Sequence, residues 1–585
     1  MTRTIFSSAF RVLGRRYASQ KPFYVTTPIF YVNASPHMGH LYSMLLCDVR
    51  IRWQKLNAKN NTTFFTTGTD EHGLKIQNAA EKQGVDPKQF VDSVSQNFHV
   101  LSDKMDIQYD RFIRTTDPDH MSAVQYVWKV FKEKGLIYEG SHEGWYCVSD
   151  ETFYPEAQLE QVERDGKRIM ISRESKNEVV YQKETNYFFK LARFQDQLIK
   201  FLEENPDFIA PKAKYEELLR ELKDTKLSDL SISRPSSRLN WGIEVPDDPS
   251  QKIYVWLDAL FNYVVSSGFP GKFPLLADGT YEVPTEVPWP ATHVIGKDII
   301  RFHCIYWPIF LMGLGLQLPK QVVVHLHWLC DGFKMSKSLG NVIDPILTQD
   351  LYGQDALRFF LTEFSNIESD CNFVEESFHN SRDHIIGTYA NLITRIGGAA
   401  FNIEESVQWA KEGKYVDINS IIESHYDPAK ATQICTCRSE LTSLLDNIYN
   451  SMDERMVQFD YKPAIREWWG VLEKANLFVQ LSEPWTFKKL IASNPENSTS
   501  YEILRHYSIY LALEASRIAS ILIQPVIPEL ASKLLDRLNV SESKRSAAQC
   551  HLGGDFTYGA GANSKTHKLP IQRIVPTEKL YVPVK

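Results

Sequence analysis

Two stretches of the chain carry side chains whose types and spacing could do chemistry. The first is Thr27-Pro28-Ile29-Phe30-Tyr31-Val32-Asn33-Ala34-Ser35-Pro36-His37-Met38-Gly39-His40. Its two histidines can donate hydrogen bonds to phosphate oxygens or to a pentavalent phosphoryl group. Gly39 between them has no Cβ, so a nucleotide ring can come close to the backbone. The second stretch is Asp331-Gly332-Phe333-Lys334-Met335-Ser336-Lys337-Ser338-Leu339-Gly340-Asn341. Lys334 and Lys337, set among glycines and small polar residues, suit a mobile loop that clamps the β and γ phosphates of ATP. Singly, each histidine also reads as a structural residue, and the lysines as a solvated basic loop.

The elements around these residues must hold them in place. An apolar strand at Phe23–Thr26 precedes the histidines, and a helix beginning near His40 repeats Leu41, Leu45 and Val49 at i+4. A helix start offers free backbone N–H groups and a partial positive charge, which stabilise a phosphate. A β-branched strand, Val322 to Leu326, precedes the lysines. A further strand, Phe64 to Thr67, ends in Gly68-Thr69-Asp70-Glu71-His72-Gly73, ahead of a helix over Leu74 to Lys82. Side chains at the carboxyl end of such a strand point into a ligand crevice, so Asp70 could pair with a substrate ammonium. Composition alone leaves it equally able to cap the helix. Strand and helix alternate over residues 21–115, as in the first half of a nucleotide-binding Rossmann-type α/β fold.

Composition sets the bounds. With 585 residues, 43% hydrophobic and 23% charged, the chain is globular, with room for roughly three or four domains. No apolar run reaches the ~18 to 20 residues that span a bilayer, so no membrane is expected as a partner. The eight cysteines are scattered, with no Cys-x-x-Cys pair to hold zinc or form a redox couple, which predicts free thiols.

Together the two motifs resemble the His-x-Gly-His and Lys-Met-Ser-Lys-Ser signatures of class I aminoacyl-tRNA synthetases, the second letter for letter. The resemblance implies an α/β Rossmann-type catalytic domain interrupted by a connective insertion and followed by an α-helical anticodon-binding bundle. The expected divisions are 21–115 and 236–340 for the catalytic halves, 116–235 for the insertion, 341–380 for a linker that contacts the tRNA stem, 381–540 for the bundle and 541–585 for a tail. The insertion is too short for the large hydrolytic editing domain of the leucine, isoleucine and valine enzymes, which favours the methionine or cysteine branch. Its segment Gly144-Trp145-Tyr146-Cys147-Val148-Ser149-Asp150-Glu151-Thr152-Phe153-Tyr154 resembles the family's zinc knuckle, with Asp150 and Thr152 where a second cysteine would be needed. A zinc-free knuckle held by Trp145, Tyr146, Phe153 and Tyr154 follows, and no metal ligand is assigned. Asn186 to Leu191 matches the strand that leaves the insertion.

Lys252-Ile253-Tyr254-Val255-Trp256-Leu257-Asp258-Ala259-Leu260, read as one strand, resembles the methionyl enzymes specifically. Val294 to His303 then enters a helix containing Trp307. By resemblance Ile29, Tyr31, Trp256, Leu260, Tyr263, Ile299, Phe302 and His303 line an L-methionine pocket, and Asp70 takes the ammonium. Leu260 stands where many relatives have proline, and Ile29 where leucine is common. Such a lining suits a thioether, since sulfur against an aromatic edge gains about 0.3 to 1.5 kcal/mol per contact. Also by resemblance, Asn33 and Gly39 lie near the nucleotide, Asp258 near the ribose, Gly296 and Asp298 near ribose and adenine, and His37, His40, Lys334 and Lys337 act on the phosphates of ATP. Mg²⁺ is expected on those phosphates without a protein cage of its own.

In the bundle, Asn391 and Arg395 lie one helical turn apart, suited to base edges. Trp485, at the tip of a helix opened by Glu483-Pro484 and followed by Lys488 and Lys489, can stack on an unpaired base. A capped helix with a packed tryptophan is the other reading of that stretch. These three match the anticodon readers of methionyl enzymes, which implies tRNA(Met) as partner. The tail, with alternating Leu580-Tyr581-Val582-Pro583-Val584, either adds a strand or lies on the surface. It lacks the appended oligonucleotide-binding domain that dimerises many bacterial relatives, so a monomer is expected.

Residues 1–20 carry Arg3, Arg11, Arg15 and Arg16, and the first acidic residue of the chain is Asp48. Ile5, Phe6, Phe10 and Leu13 can share one helical face opposite the arginines, the composition of a mitochondrial presequence cut near Tyr17, which predicts the mitochondrial matrix. Losing the four arginines would take the net charge from −7 to −11. A nucleic acid must then be held by local basic patches. Two alternatives are a cysteinyl enzyme, which should carry pocket cysteines that this chain lacks, and a non-catalytic tRNA-binding relative, which should have lost one of the motifs.

Overall fold

A computed structural model describes residues 21–57, 62–147, 152–154, 156–164, 167–173, 175–335, 340–398 and 401–561. The presequence reading, Lys337 and the Leu580–Val584 reading lie outside them.

A six-stranded parallel sheet forms the centre. β1 (Phe23–Tyr31) pairs on one side with β2 (Thr63–Asp70), which pairs with β3 (Arg111–Arg114), and on the other side with Thr292–Gly296. Gln321–His325 and the short Ile209–Ala210 complete that side. The chain thus builds outward from β1 to β3, passes through the insertion, and returns on β1's other flank. That reversal between β1 and Thr292–Gly296 is where an open α/β sheet opens a crevice at its strand carboxyl ends.

β1 runs past Thr26, the expected end, to Tyr31, with a register shift against β2 between Thr26 and Ile29. Pro28 lies within that interval, and a proline is tolerated in a strand where the ladder is interrupted. The helix α1 (Met38–Asn57) starts two residues before His40 and is buried on nearly every face, so its N-terminus is fixed under the crevice. Lys252–Leu260 is not one strand. The strand is Asp248–Ile253, and Val255–Leu260 is helical with Tyr254 as its N-cap. A short run of β-branched and aromatic residues favours strand locally, but the helical form buries Val255, Leu257, Ala259 and Leu260 at once.

The insertion is an antiparallel sheet dominated by Ile137–Cys147 against Glu178–Phe189. Within it Trp145 pairs with Tyr154, and both pack on Cys147, Leu159 and Val179. Residues 148–151 lie outside the description, as does the side chain of Phe153. After Asn341 come the helices Pro345–Tyr352, capped by Asp344, and Gln354–Glu363. The helical region follows, led by Pro428–Met456, Tyr461–Ser482 and Ser498–Ile523. Seven of the eight cysteines are buried, and Cys435 is half-buried.

Buried polar contacts join this helical region to the sheet. The fully buried Arg358 guanidinium donates to Asp48 on α1 at 2.6 Å and to the carbonyls of Met105, Pro525 and Val526, each at 2.9 Å. Trp53 Nε1 and Asn57 Nδ2 on α1 donate to Asp453. The described part of the tail folds back onto Ser498–Ile523: the buried Glu514–Arg517 pair takes Tyr558 Oη and the Gln549 and His551 carbonyls.

Candidate active site

The two histidines form one unit. Their rings stack with centroids 3.8 Å apart. The His37 amide donates to His40 Nδ1, and the Gly39 amide donates to His37 Nδ1, both at 3.1 Å. Each Nδ1 therefore accepts, which leaves the proton of each neutral ring on Nε2 as a donor. Phe30 and Phe98 pack on the His40 ring. Burial, and then the neighbouring His37, push the His40 pKa well below its usual value, so His40 is neutral at pH 7. Gly39 brings the backbone close to the His37 ring: a Cβ there would meet His37 Cε1 at 3.0 Å and Nδ1 at 3.2 Å, so the ring would have to give by a few tenths of an ångström. The pair lies at the start of α1, where two N–H donors and the helix terminus can face one anion.

A cavity of about 1370 Å³ opens over this pair and reaches the insertion sheet. Of the residues expected to hold ligands, Ile29, Tyr31, His37, Gly39, His40, Asp70, Trp256, Leu260, Tyr263, Gly296, Asp298, Ile299, Phe302, His303 and Lys334 all line it. Helical spacing explains one wall. Trp256, Leu260 and Tyr263 lie at i, i+4 and i+7 along Val255–Leu260 and Asn262–Ser266. Opposite them, a stretch of π-type turns at Phe302–Tyr306 carries Phe302 and His303. Trp256 stacks on Phe302 with centroids 3.4 Å apart and planes 9° from parallel.

At the back of the cavity, His303 Nδ1 faces the Ile299 carbonyl at 2.9 Å and Nε2 faces Tyr263 Oη at 2.6 Å. The ring donates to the carbonyl and accepts from the phenol. Burial lowers the His303 pKa to about 4, opposed by the Ile299 bond, so the imidazole is neutral. The pocket end is thus aromatic, uncharged and lightly polar.

The turn after β2 distributes three consecutive side chains. Asp70, the last residue of β2, lines the cavity. It does not cap the next helix, Leu74–Gln83, whose N-cap is Gly73. Glu71 turns back to Arg114, which holds it through Nε at 2.6 Å and Nη2 at 2.9 Å. His72 reaches Asp258. One expected nucleotide contact stands elsewhere. Asp258 does not border the cavity: it is fully buried and accepts from His72 Nδ1 and His120 Nε2, each at 2.6 Å. On a strand it would share a face with Trp256 and Leu260, but on a helix it lies some 200° away from both. Asn33 is exposed in the loop before α1 and is not among the cavity residues.

At the other end, His327 Nε2 donates to Asp298 Oδ2 at 2.9 Å, and this bond leads the interactions that hold the Asp298 pKa below the usual range. Lys334 Nζ, on a side chain 72% exposed, lies 3.8 Å from the same oxygen. Among the cavity residues not foreseen, three lie close to the histidine pair and Asp298. Ser43, one turn after His40 on α1, donates to His325 Nε2 at 2.8 Å, while His325 Nδ1 bonds the Leu326 carbonyl at 2.9 Å. Burial lowers the His325 pKa to about 4. His327 is the third. The i+3 spacing of Ser43 from His40, and the place of His325 at a strand's carboxyl end, are signals that could have found them. Among the described residues no group of three or more His, Cys, Asp or Glu gathers to hold a metal ion.

Far along the chain, Asn391 and Arg395 are exposed on the helix Asn391–Ile396, and the Arg395 guanidinium lies 5.9 Å from the Trp485 ring centroid. Trp485, 49% exposed, sits in the turn before Phe487–Ser493 rather than on that helix.

A stacked histidine pair at a helix start, beside the switch point of a parallel sheet, is the arrangement expected of a class I synthetase core. The family profile "tRNA synthetases class I (M)" matches residues 23–397. The chain is 56% identical over 568 residues to the mitochondrial methionine–tRNA ligase of Candida albicans, covering 96% of this chain and 98% of the relative. It is 45% identical to that of Saccharomyces cerevisiae, covering 96% and 97%. A solved structure of Mycobacterium tuberculosis methionyl-tRNA synthetase in complex with methionyl-adenylate superposes with a TM-score of 0.78 at 32% identity, covering 96% and 99%. The chain belongs to the class I tRNA synthetases, in their methionine–tRNA ligase branch.

Proposed function

We propose that this chain activates L-methionine with ATP to methionyl-adenylate and transfers the methionyl group to tRNA(Met) in the mitochondrial matrix. The observation that carries the reading is a single cavity holding the His37–His40 pair at one side, Asp70 between, and the Tyr263–His303 wall with the Trp256–Phe302 stack at the other.

In this reading Asp70 takes the methionine ammonium, while Ile29, Tyr31, Leu260, Ile299 and the aromatic wall surround the thioether. The methionine carboxylate is already ionised at neutral pH, so it needs no protein base to attack the α-phosphorus. Pyrophosphate leaves in line, and the protein's part is to position groups and stabilise developing charge. His37 and His40 donate through Nε2 to the phosphates. Gly296 and Asp298 meet the nucleoside, and Lys334 and Lys337 close on the β and γ oxygens. Mg²⁺ travels with those oxygens. The insertion is read as zinc-free on the strength of Asp150 and Thr152 in its knuckle. The mitochondrial relatives and the arginine-bearing segment 1–20 support the matrix location.

Asn391, Arg395 and Trp485 are assigned to the anticodon, supported by their exposure and by the Arg395–Trp485 juxtaposition. The test is charging of tRNA(Met) with labelled methionine beside the same tRNA with its anticodon replaced. Charging of the first alone is expected, and equal charging of both would overturn the anticodon assignment.

A further inference from the structure

The face of Val255–Leu260 turned away from the cavity carries an ionised group with no part in the chemistry above. Asp258 is fully buried, and its two oxygens accept one hydrogen bond each from His72 Nδ1 and His120 Nε2. Burial opposes its charge, yet the two imidazoles hold its pKa below the ordinary carboxylate value. His72 follows Asp70 by two residues, and His120 lies in the first turn of the helix Pro118–Glu133. Both rings are buried. The carboxylate therefore ties three elements together: the turn that follows the ammonium-facing Asp70, the helix that carries Trp256 and Leu260, and a helix behind both.

A helix of six residues has little stability or rotational definition of its own. A rotation of one residue position, about 100°, would turn Trp256 out of the cavity. Apolar packing resists such a rotation weakly, because Val255, Leu257 and Ala259 are all buried apolar residues. A carboxylate with two directional donors admits one orientation. We propose that His72, Asp258 and His120 are positioning residues for methionine. They lock the rotation of Val255–Leu260 and hold the aromatic wall at a set spacing from Asp70, so that the ammonium and thioether subsites fit one amino acid. The ATP side, built on α1 and Thr292–Gly296, is not tied to this triad. The inference rests on the reading of the cavity as the methionine site.

The experiment measures steady-state ATP–pyrophosphate exchange by the full chain, with methionine and ATP varied separately. In His72→Ala and His120→Leu the methionine KM should rise about tenfold or more, on the scale that a misplacement of about 1 Å produces, while the ATP KM stays within about twofold. His72→Asn and His120→Gln place an amide donor where Nδ1 and Nε2 stand, and should restore the methionine KM to within about threefold. A purely structural role would instead lower the melting temperature and the active fraction with KM unmoved, which would overturn the proposal. Should the truncations fail to fold, His72→Gln and His120→Asn keep the polarity but displace the donor. A raised methionine KM in these at normal melting temperature supports positioning, and an unchanged one overturns it. Asp70→Asn separates the two layers of inference. If it leaves the methionine KM unchanged, the pocket reading itself falls. If it raises that KM while the triad variants do not, only the positioning proposal falls.

Discussion

Gly39→Ala sets stability and activity against each other. Gly39 is the second residue of α1, and replacing a helical glycine by alanine stabilises by up to about 0.5 to 1 kcal/mol. The new Cβ, however, would lie 3.0 Å from His37 Cε1 and 3.2 Å from His37 Nδ1. Carbon atoms sit comfortably at roughly 3.5 to 4.0 Å, so the imidazole must retreat by several tenths of an ångström or swing aside. Its Nδ1 then leaves the Gly39 amide, now 3.1 Å away, and the bond that fixes the proton on Nε2 is lost. The stack on His40, at 3.8 Å, loosens with it. Losing one preorganised donor to developing charge costs about 10² to 10³ in rate, or roughly 2.7 to 4 kcal/mol. The expected result is a methionine-dependent exchange rate reduced at least about a hundredfold, in a protein whose melting temperature is unchanged or slightly raised. Thermal unfolding and exchange on one preparation test it. Full activity would refute the role given to the His37 ring, and activity lost in step with melting temperature would reduce Gly39 to a folding residue.

Trp485→Ala should spare adenylate formation while lowering kcat/KM for tRNA(Met) by about tenfold or more, from about 1 to 3 kcal/mol of lost stacking. Equal loss in both assays would make Trp485 a folding residue. His303 and His325, each with a pKa lowered to about 4, resist protonation that the unfolded chain accepts near 6.5. The unfolded state therefore binds more protons between those values, and stability falls as pH drops from about 6.5 toward 4, by about 2 kcal/mol per histidine at pH 5. Denaturant titrations at pH 7 and 5, wild type against His325→Gln, should find the slope shallower in the variant, and identical slopes would contradict the assignment. Arg358→Met should cost about 3 kcal/mol in the same titration, near the lower end for breaking a buried pair, because Arg52 and the Gln108 amide still hold Asp48. A loss below about 1 kcal/mol would show that the guanidinium does not join sheet and bundle.

What the sequence made legible followed from local pattern. A strand, a His-x-Gly-His and a helix with an apolar i+4 repeat lie within thirty-odd residues, where chain direction alone forces the histidines to the helix start. Asp70 was legible as the end of a strand, and the turn geometry, with Gly73 as the cap, removes the competing reading. Asp258 was misplaced because a strand and a helix assign opposite faces to the same residue, and Tyr254-Val255-Trp256 reads as strand by composition. Ser43 and His325 meet across 282 positions, and Arg358 and Asp48 across 310. Pairs at such separations leave no periodic trace in one sequence. Trp485 lies two residues before its helix rather than at the tip, since Glu483 at φ 46° closes the preceding helix and delays the next to Phe487.

The central claim is that one cavity joins methionine to ATP. Its most direct test is amino-acid-dependent ATP–pyrophosphate exchange by the purified protein, with each of the twenty amino acids in turn. Exchange with methionine alone is predicted. Exchange with a different amino acid would leave the fold standing and contradict the pocket, while no exchange by a folded sample would contradict the adenylation chemistry itself.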